Sequence, residues 1–352
     1  MNQPCFVTGG SGFIGQHLVA LLTRKGHPVT VLMRQPQALP ALRGQIEQLG
    51  GRGELLAALA GDLGRADLGL DAAAREQVRQ AAVVFHLGAQ FAWGLAAEQA
   101  RRVNVEGALA VAELAASRGS RLLIVGGFML ANHGHLRCIG IDLQRPERTD
   151  WDKVYQRTGA YEGSKLEAHF RVCARMAELQ APLTVVHPAT VCGHSRSGHI
   201  LPAQPLAGLI GNLAGGRLGA IPGSTAHWLP LVSVDFLAEL IVAAAFDEQQ
   251  VGQEILALDA RTPNLLGMLQ PLAQALGVRA PKHHVPIPVL RVLLSIPGLP
   301  RLLRTDAESL DFIQTARFDT AATEALAQRH GLTWPDMTEA LRVTARYLMA
   351  AL

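Results

Sequence analysis

The chain has 352 residues, 49% of them hydrophobic, which is enough apolar material for a large core and enough length for two domains. Lys and Arg number 32 against 29 Asp and Glu, and the resulting +3 carries no dense basic stripe with interleaved aromatics, which argues against a nucleic-acid surface. Cys5, Cys138, Cys173 and Cys192 lie far apart without a CxxC pair, the pattern of reduced, packed thiols.

Cys5-Phe6-Val7 reads as a first strand and Gln16 to Leu22 as the opening of a helix. Between them lies Thr8-Gly9-Gly10-Ser11-Gly12-Phe13-Ile14-Gly15. Glycines at a strand-to-helix turn close the backbone tightly and leave the helix N-terminus open to a pyrophosphate. Gly9, Gly12 and Gly15 take the tight-turn, phosphate-approach and helix-packing roles in that order. Pro28 to Met33 is a second strand, and Gln35 to Leu70 reads as loops and short helices. Strands follow at Val83–Leu87, Arg121–Val125 and Leu183–His187, with helical patterns over Ala100–Ser117 and Gly163–Leu179. Wholly apolar strands alternating with helices predict an α/β fold, a Rossmann-type doubly wound parallel sheet.

After Pro188 the rhythm breaks. Gly193–Pro230 is rich in Gly, Pro and Ser, with a helical patch at Ala203–Leu213. The alternation returns with a helix at Asp235–Phe246 and a strand at Glu254–Leu258, and short helices follow from Thr262. The expected division is a dinucleotide-binding domain of residues 1–190 plus 231–260, and a smaller, discontinuous substrate-binding domain of 191–230 plus 261–352. Val285–Leu303 is apolar but broken by prolines, which suits a buried or pocket-lining wall or a peripheral contact with lipid, not a transmembrane span. No basic-then-apolar leader precedes the first strand, and the expected location is cytoplasmic.

The second strand ends at Met33-Arg34, with no carboxylate until Glu47. Arg34 suits a ribose 2′-phosphate, so NADP(H) is the preferred cofactor and NAD(H) the alternative. Tyr161-Glu162-Gly163-Ser164-Lys165 puts a phenol and an ammonium four apart, on one helix face. The lysine is expected to lower the phenol's pKa and to hold the ribose, making Tyr161 a general acid and base. Histidine spacing around His194, His199, His283 and His284 offers no metal set, and no metal is expected.

These residues resemble the extended short-chain dehydrogenase/reductase superfamily, in particular its branch of sugar-nucleotide epimerases, dihydroflavonol-type reductases and 3β-hydroxysteroid-dehydrogenase-like enzymes. Besides the two motifs above, the resemblance rests on Asp62-Leu63, His86-Leu87-Gly88-Ala89, Val103–Gly107, His187–Gly193, Val232–Asp235 and the stretch from Arg317-Phe318-Asp319 to Tyr347, nearly the whole length. It implies that Asp62 meets the adenine, that Asn104 supports the active-site lysine or its water, and that the 188–193 turn lies along the nicotinamide. The cofactor-binding set expected on this basis is Thr8, Gly9, Gly12, Phe13, Ile14, Gly15, Arg34, Asp62, Leu63, Leu87, Gly88, Ala89, Tyr161, Lys165, His187, Pro188, Ala189 and Val191, and the catalytic set is Tyr161, Lys165 and Asn104. By analogy, helices after the fourth and fifth strands form a homodimer face.

One departure stands out. Where the resembled enzymes place a Ser-Ser or Thr-Ser run after the strand ending at Val125, this chain reads Gly126-Gly127-Phe128-Met129, and no hydroxyl occurs between Ser120 and Thr149. Asn132 or His133 could supply the polar group, the substrate could need none, or the protein could be a nucleotide-binding sensor. Phe91, Trp93, Phe128, Met129, Asn132, His133 and Trp228 are the candidate substrate pocket, suited to an apolar or aromatic ketone, aldehyde or secondary alcohol. An epimerase, isomerase or dehydratase using its nucleotide transiently is the alternative chemistry.

Overall fold

The structure is a computed structural model describing residues 2–90, 95–296, 298 and 307–350. It divides into two compact units, Met1–His187 with Ala238–Leu256, and Pro188–Leu237 with Ala257–Leu352.

The first unit follows from the apolar strands. β1 (Cys5–Thr8), β2 (Val29–Met33), β3 (Leu56–Ala60), β4 (Val83–His86), β5 (Arg121–Val125) and β6 (Leu183–Pro188) are joined in one sheet by a later strand. That strand, β10 (Glu254–Ala257), comes after three short ones, β7 (Thr190–Cys192), β8 (Ile221–Pro222) and β9 (Leu231–Ser233). The order is β10-β6-β5-β4-β1-β2-β3, and the pairings from β6 through to β3 are parallel. β1, β4 and β5 are buried along their whole length, as central strands covered on both faces must be. Helices α1 (Phe13–Arg24), α2 (Leu39–Gln48), α3 (Ala72–Arg79), α4 (Ala97–Ala100), α5 (Gly107–Ala116), α6 (His133–Ile139) and α7 (Trp151–Glu178) connect the strands. One continuous core joins Phe6, Val84, Leu122 and Ile124 of the sheet to Val105, Ala108 and Val111 beside them and to Ala168, Val172 and Met176 of α7. The strand order reverses between β1 and β4, the topological switch where such sheets bind ligands.

β3 corrects the reading of Gln35–Leu70 as strandless. Its Leu-Ala-Ala-Leu-Ala sequence has low β propensity and no full alternation, and at the sheet edge only Leu56 is buried. Pairing with β2, not composition, makes it a strand.

In the second unit, β7 pairs with β9, and β8 pairs with β11 (His284–Val285). Leu231–Leu237 therefore cluster with this unit rather than with the nucleotide-binding sheet. Its helices include α8 (Pro205–Ala214), the start of α9 (Val234–Phe246), α10 (Leu265–Leu276), α11 (Ile287–Leu294), α12 (Ala321–Arg329) and α13 (Met337–Ala350). The apolar stretch from 285 is no buried wall. On and just beyond α11, Val289, Val292, Leu293 and Ile296 are 41–67% exposed, while Leu294 points inward. Prolines shorten the helix to eight residues, too few to bury more than one row. Pro297 and residues 299–303 of the same stretch lie outside the described residues. Among the described residues no helix is long and apolar enough to cross a membrane.

Candidate active site

The glycine turn is fixed by close backbone approach. Gly9 has φ of +75°, and a Cβ there would lie 2.7 Å from the Gly88 nitrogen, so the turns after β1 and β4 touch at the switch. A Cβ on Gly15 would overlap the Gly9 carbonyl oxygen and sit 2.8 Å from Gly10 Cα, which is the helix-packing constraint expected of it. Gly12 is the N-cap of α1, exposed and without a side-chain cap bond. Phe13 is buried and Ile14 half-buried. This cradle and the first-turn amides of α1 fit a dinucleotide pyrophosphate.

Around the cradle the expected residues have structural duties as well. Thr8 Oγ1 hydrogen-bonds His86 Nδ1 at 2.7 Å and accepts from the Gly88 amide. Burial, and then the charge of Lys165, hold His86 down at a pKa of about 3. Asp62 Oδ1 accepts from the Gly64 amide at 2.8 Å, closing the turn after β3, and Leu63 lies against Gly88 and Gly107. Leu87 and Ala89 are half-buried beside the buried Gly88, and Arg34 is exposed at the end of β2.

Tyr161 and Lys165 share α7, but the helix is broken just before them. Gly159, at φ of +78°, separates Trp151–Thr158 from the segment that carries both residues. Lys165 Nζ donates to the Val125 carbonyl at 2.7 Å, tying the ammonium to the end of β5. Burial lowers Lys165 to about 8. The phenol departs from expectation: Tyr161 is raised to about 12, because burial, reinforced by the Glu162 charge, outweighs any help from Lys165.

Asn104 lies in a π-helical turn, Arg101–Glu106, between α4 and α5. Such wide turns re-aim side chains and recur at functional sites. Its amide is fully engaged: Oδ1 accepts from the Gln90 amide (2.7 Å), and Nδ2 donates to the Gln90 carbonyl (3.2 Å) and to Ser164 Oγ (2.9 Å). Ser164 Oγ in turn donates to the Tyr161 carbonyl at 2.9 Å. Asn104 thus clamps Gln90, in the loop after β4, to α7. Ser164, inside the sequence motif but unassigned by it, is the middle of that clamp. A cavity of about 20 Å³, room for one water, is lined by Asn104, Lys165, Gly126 and His169 among others.

At the ends of β5 and β6 lies a group that sequence reading did not assemble. His187 Nε2 donates to Glu254 Oε2 at 2.8 Å, and His169 Nε2 lies 3.6 Å from Oε1 of the same carboxylate. The Glu254 carboxyl, though partly desolvated, stays below its ordinary range through the His187 hydrogen bond and the two imidazoles. Burial lowers His169 to about 4. His187 is 3% exposed and its Nδ1 has no hydrogen-bond partner. A Cβ at Gly126 would overlap that Nδ1 and lie 2.8 Å from Cε1. In space, His169, Cys173 and Glu254 put ligand-type atoms within 4.8 Å of one another, a proximity their spacing along the chain hides. The His187–Glu254 hydrogen bond and the Cys173–His169 contact account for it as a polar network.

The expected substrate pocket is gathered only in part. Phe91 and Trp93 lie outside the described residues. Phe128 and Met129 are 1% and 7% exposed in the turn after β5, hence packing residues in this structure. Asn132 caps α6 by accepting from the His135 amide, and His133 is exposed on that helix. Trp228 is no pocket wall. It is wholly buried in the second unit, with Nε1 donating to the Ala316 carbonyl and the Arg317 guanidinium 3.8 Å from its ring centre. Pro188, Ala189 and Val191 also belong to the second unit, with Val191 paired to Val232 in β7–β9.

A doubly wound sheet, a glycine cradle at its switch point, and a Tyr–Lys pair beside β5 define an NAD(P)-binding protein with the extended short-chain dehydrogenase/reductase fold. The chain belongs to the male sterility protein family of NAD-binding proteins, whose family model matches residues 7–241. It is 27% identical over 260 residues to an aldehyde reductase, lnaA, of Aspergillus flavus, a match covering 68% of this chain and 24% of that protein. The chain spans a quarter or less of the length of the curated relatives it matches. Its fold is shared with the terminal R domain of the myxalamid PKS-NRPS pathway (TM-score 0.77, 18% identity, covering 99% of this chain and 91% of that one). It is shared also with Gre2 of Candida albicans in complex with NADPH (TM-score 0.68, 17% identity, 99% of each chain).

Proposed function

We propose that the protein is an NADP-dependent reductase of apolar or aromatic aldehydes and ketones, or a dehydrogenase of the matching alcohols, secondary ones included, in the reverse direction. The observation that carries this reading is the Tyr161–Lys165 pair, held on one helix by the Val125 carbonyl and by the Asn104–Ser164 clamp. The glycine cradle fits the dinucleotide, and Arg34 at the end of β2 suits its 2′-phosphate. Bound nicotinamide would supply the hydride.

Tyr161, raised to about 12, is fully protonated at neutral pH and so stands ready as the acid. Its phenolic proton passes to the substrate oxygen as the carbonyl carbon gains hydride. Lys165, lowered to about 8, remains mostly an ammonium at pH 7 and stabilises the phenolate left behind. The aldehyde-reductase name of the Aspergillus flavus relative agrees with a carbonyl substrate. The Gly126-Gly127 pair favours a second reading, a nucleotide-binding sensor with impaired chemistry.

NADPH consumption with benzaldehyde, octanal and acetophenone tests the first reading. Turnover is expected, and Tyr161→Phe should reduce kcat by about a thousandfold while leaving NADPH affinity within twofold. NADPH binding without turnover of any carbonyl would favour the sensor. Turnover untouched by Tyr161→Phe would remove the assignment of the acid.

A further inference from the structure

We propose that the outer face of α11 docks the second unit peripherally onto a bilayer surface rich in anionic phospholipid. This contact goes beyond the reductase reading and does not depend on it.

α11 is apolar on both sides. One row turns inward, with Leu294 buried and Ile287 and Leu290 half-buried. A surface helix of that kind ordinarily shows water a polar face. Here Val289, Val292, Leu293 and Ile296 follow at i, i+3, i+4 and i+7, the spacing of a single helix side, and all four are exposed. Ile296 lies just past the helix, its amide still bonded to the Leu293 carbonyl at 3.1 Å. Of the seven large hydrophobics exposed among the described residues, these four fall within 289–296. Apolar side chains exposed singly are ordinary, whereas a contiguous stripe marks a surface that another surface covers.

Charge selects the partner. Over the whole chain Lys and Arg nearly balance Asp and Glu, 32 to 29. From Ala260 to Thr305 there is no Asp or Glu, and there are six Lys and Arg. Four of them bracket the stripe in sequence, Arg279 and Lys282 before it and Arg301 and Arg304 after it. Arg279 and Lys282 are exposed and make no ion pair among the described residues. Arg291, on the helix itself, pairs with Asp311, so that carboxylate is neutralised. Shallow insertion of aliphatic side chains, with cations held over acidic headgroups, is how a short interfacial helix binds a bilayer. Eight residues are too few to cross one.

Other occupants fit less well. A second copy docked face to face would bring the acid-free segment against itself, and like charges would meet. Protein pockets are held largely by Trp, Tyr and other large anchors, and residues 260–305 contain no Phe, Tyr or Trp. Val, Leu and Ile make non-directional contacts, which suit fluid hydrocarbon.

The test is flotation of the full chain with vesicles of phosphatidylcholine alone and of phosphatidylcholine with about 30% phosphatidylglycerol. Binding to the anionic vesicles is expected to exceed binding to the neutral ones by about tenfold, and to fall at least about fivefold between about 0.05 and about 0.5 M NaCl. Val292→Glu combined with Ile296→Glu should lower it at least about tenfold, with Tm within about 2 °C because both sites are exposed. Arg279→Glu combined with Lys282→Glu, which leaves the stripe intact, should lower it about tenfold.

No flotation with anionic vesicles at low salt overturns the proposal. Equal binding to both vesicles, or binding that survives the Val292→Glu and Ile296→Glu pair, does the same. A dimer in analytical ultracentrifugation that this pair abolishes, without flotation, assigns the stripe to a second copy instead. Carbonyl turnover is measured separately, without vesicles, and its failure removes the reductase reading while leaving the lipid contact standing.

Discussion

The two ends of the sheet's candidate site are built on opposite principles. Where β1 and β4 meet, the cradle is made of backbone: Gly9 against Gly88, Gly15 against Gly9, Leu63 against Gly88 and Gly107. Where β5 and β6 end, titratable side chains gather instead: Lys165 on the Val125 carbonyl, and His169 and His187 on Glu254. Tight backbone contact fixes a surface that fits phosphate without burying a charge. Burying Lys165 and His169 disfavours their charged forms and lowers both pKa values.

The sharpest way to break the backbone side is Gly15→Val. Its side chain has nowhere to go but into the Gly9 carbonyl, and NADPH affinity is expected to fall about a thousandfold, roughly 4 kcal/mol, by fluorescence titration. Unchanged binding would mean the turn is not the phosphate cradle.

The side-chain end should reveal itself in acid. His169 is lowered from 6.5 to about 4, so between those values the unfolded chain binds a proton that the folded one refuses. Stability is therefore full above pH 6.5 and declines as pH falls towards 4. His169→Phe should flatten that decline by on the order of 3 kcal/mol in denaturant titrations across the window. An identical slope in the variant would show that the ring is not buried in its neutral form.

Asn104→Ala removes three hydrogen bonds from a buried clamp and is expected to cost about 2 kcal/mol in thermal unfolding, with kcat falling further than stability explains. A change under about 0.5 kcal/mol would reduce Asn104 to a bystander. The smallest effect belongs to an exposed residue. Arg34→Ala should weaken NADPH binding about tenfold and leave NADH untouched, and equal losses for both would remove the 2′-phosphate role.

Sequence disclosed the backbone end almost completely, because glycine spacing and strand–helix alternation are local signals. β3 escaped, since an Ala-rich edge strand carries little pattern of its own and takes its form from β2. Tyr161, Lys165 and Asn104 were legible as residues, but their surroundings were not. The rise of the Tyr161 pKa depends on burial that no local motif encodes. His187 was assigned to the cofactor by its place in a motif. Its partner Glu254 is 67 positions away, and only the pairing of β6 with β10 joins them. Trp228 and the stretch from 285 misled for one reason: apolar composition does not say which face is covered.

The wide turn at Arg101–Glu106 also works as a phase shifter. One extra residue per turn rotates everything before it by about 100° relative to everything after it. The stripe of Ala108, Val111, Ala112 and Ala115 can therefore stay on the core while Asn104 is aimed elsewhere. Shortening this turn by a single residue would leave a good helix on a good core, with the clamp facing the wrong way. The capacity for chemistry here hangs on a count of residues as much as on their kind.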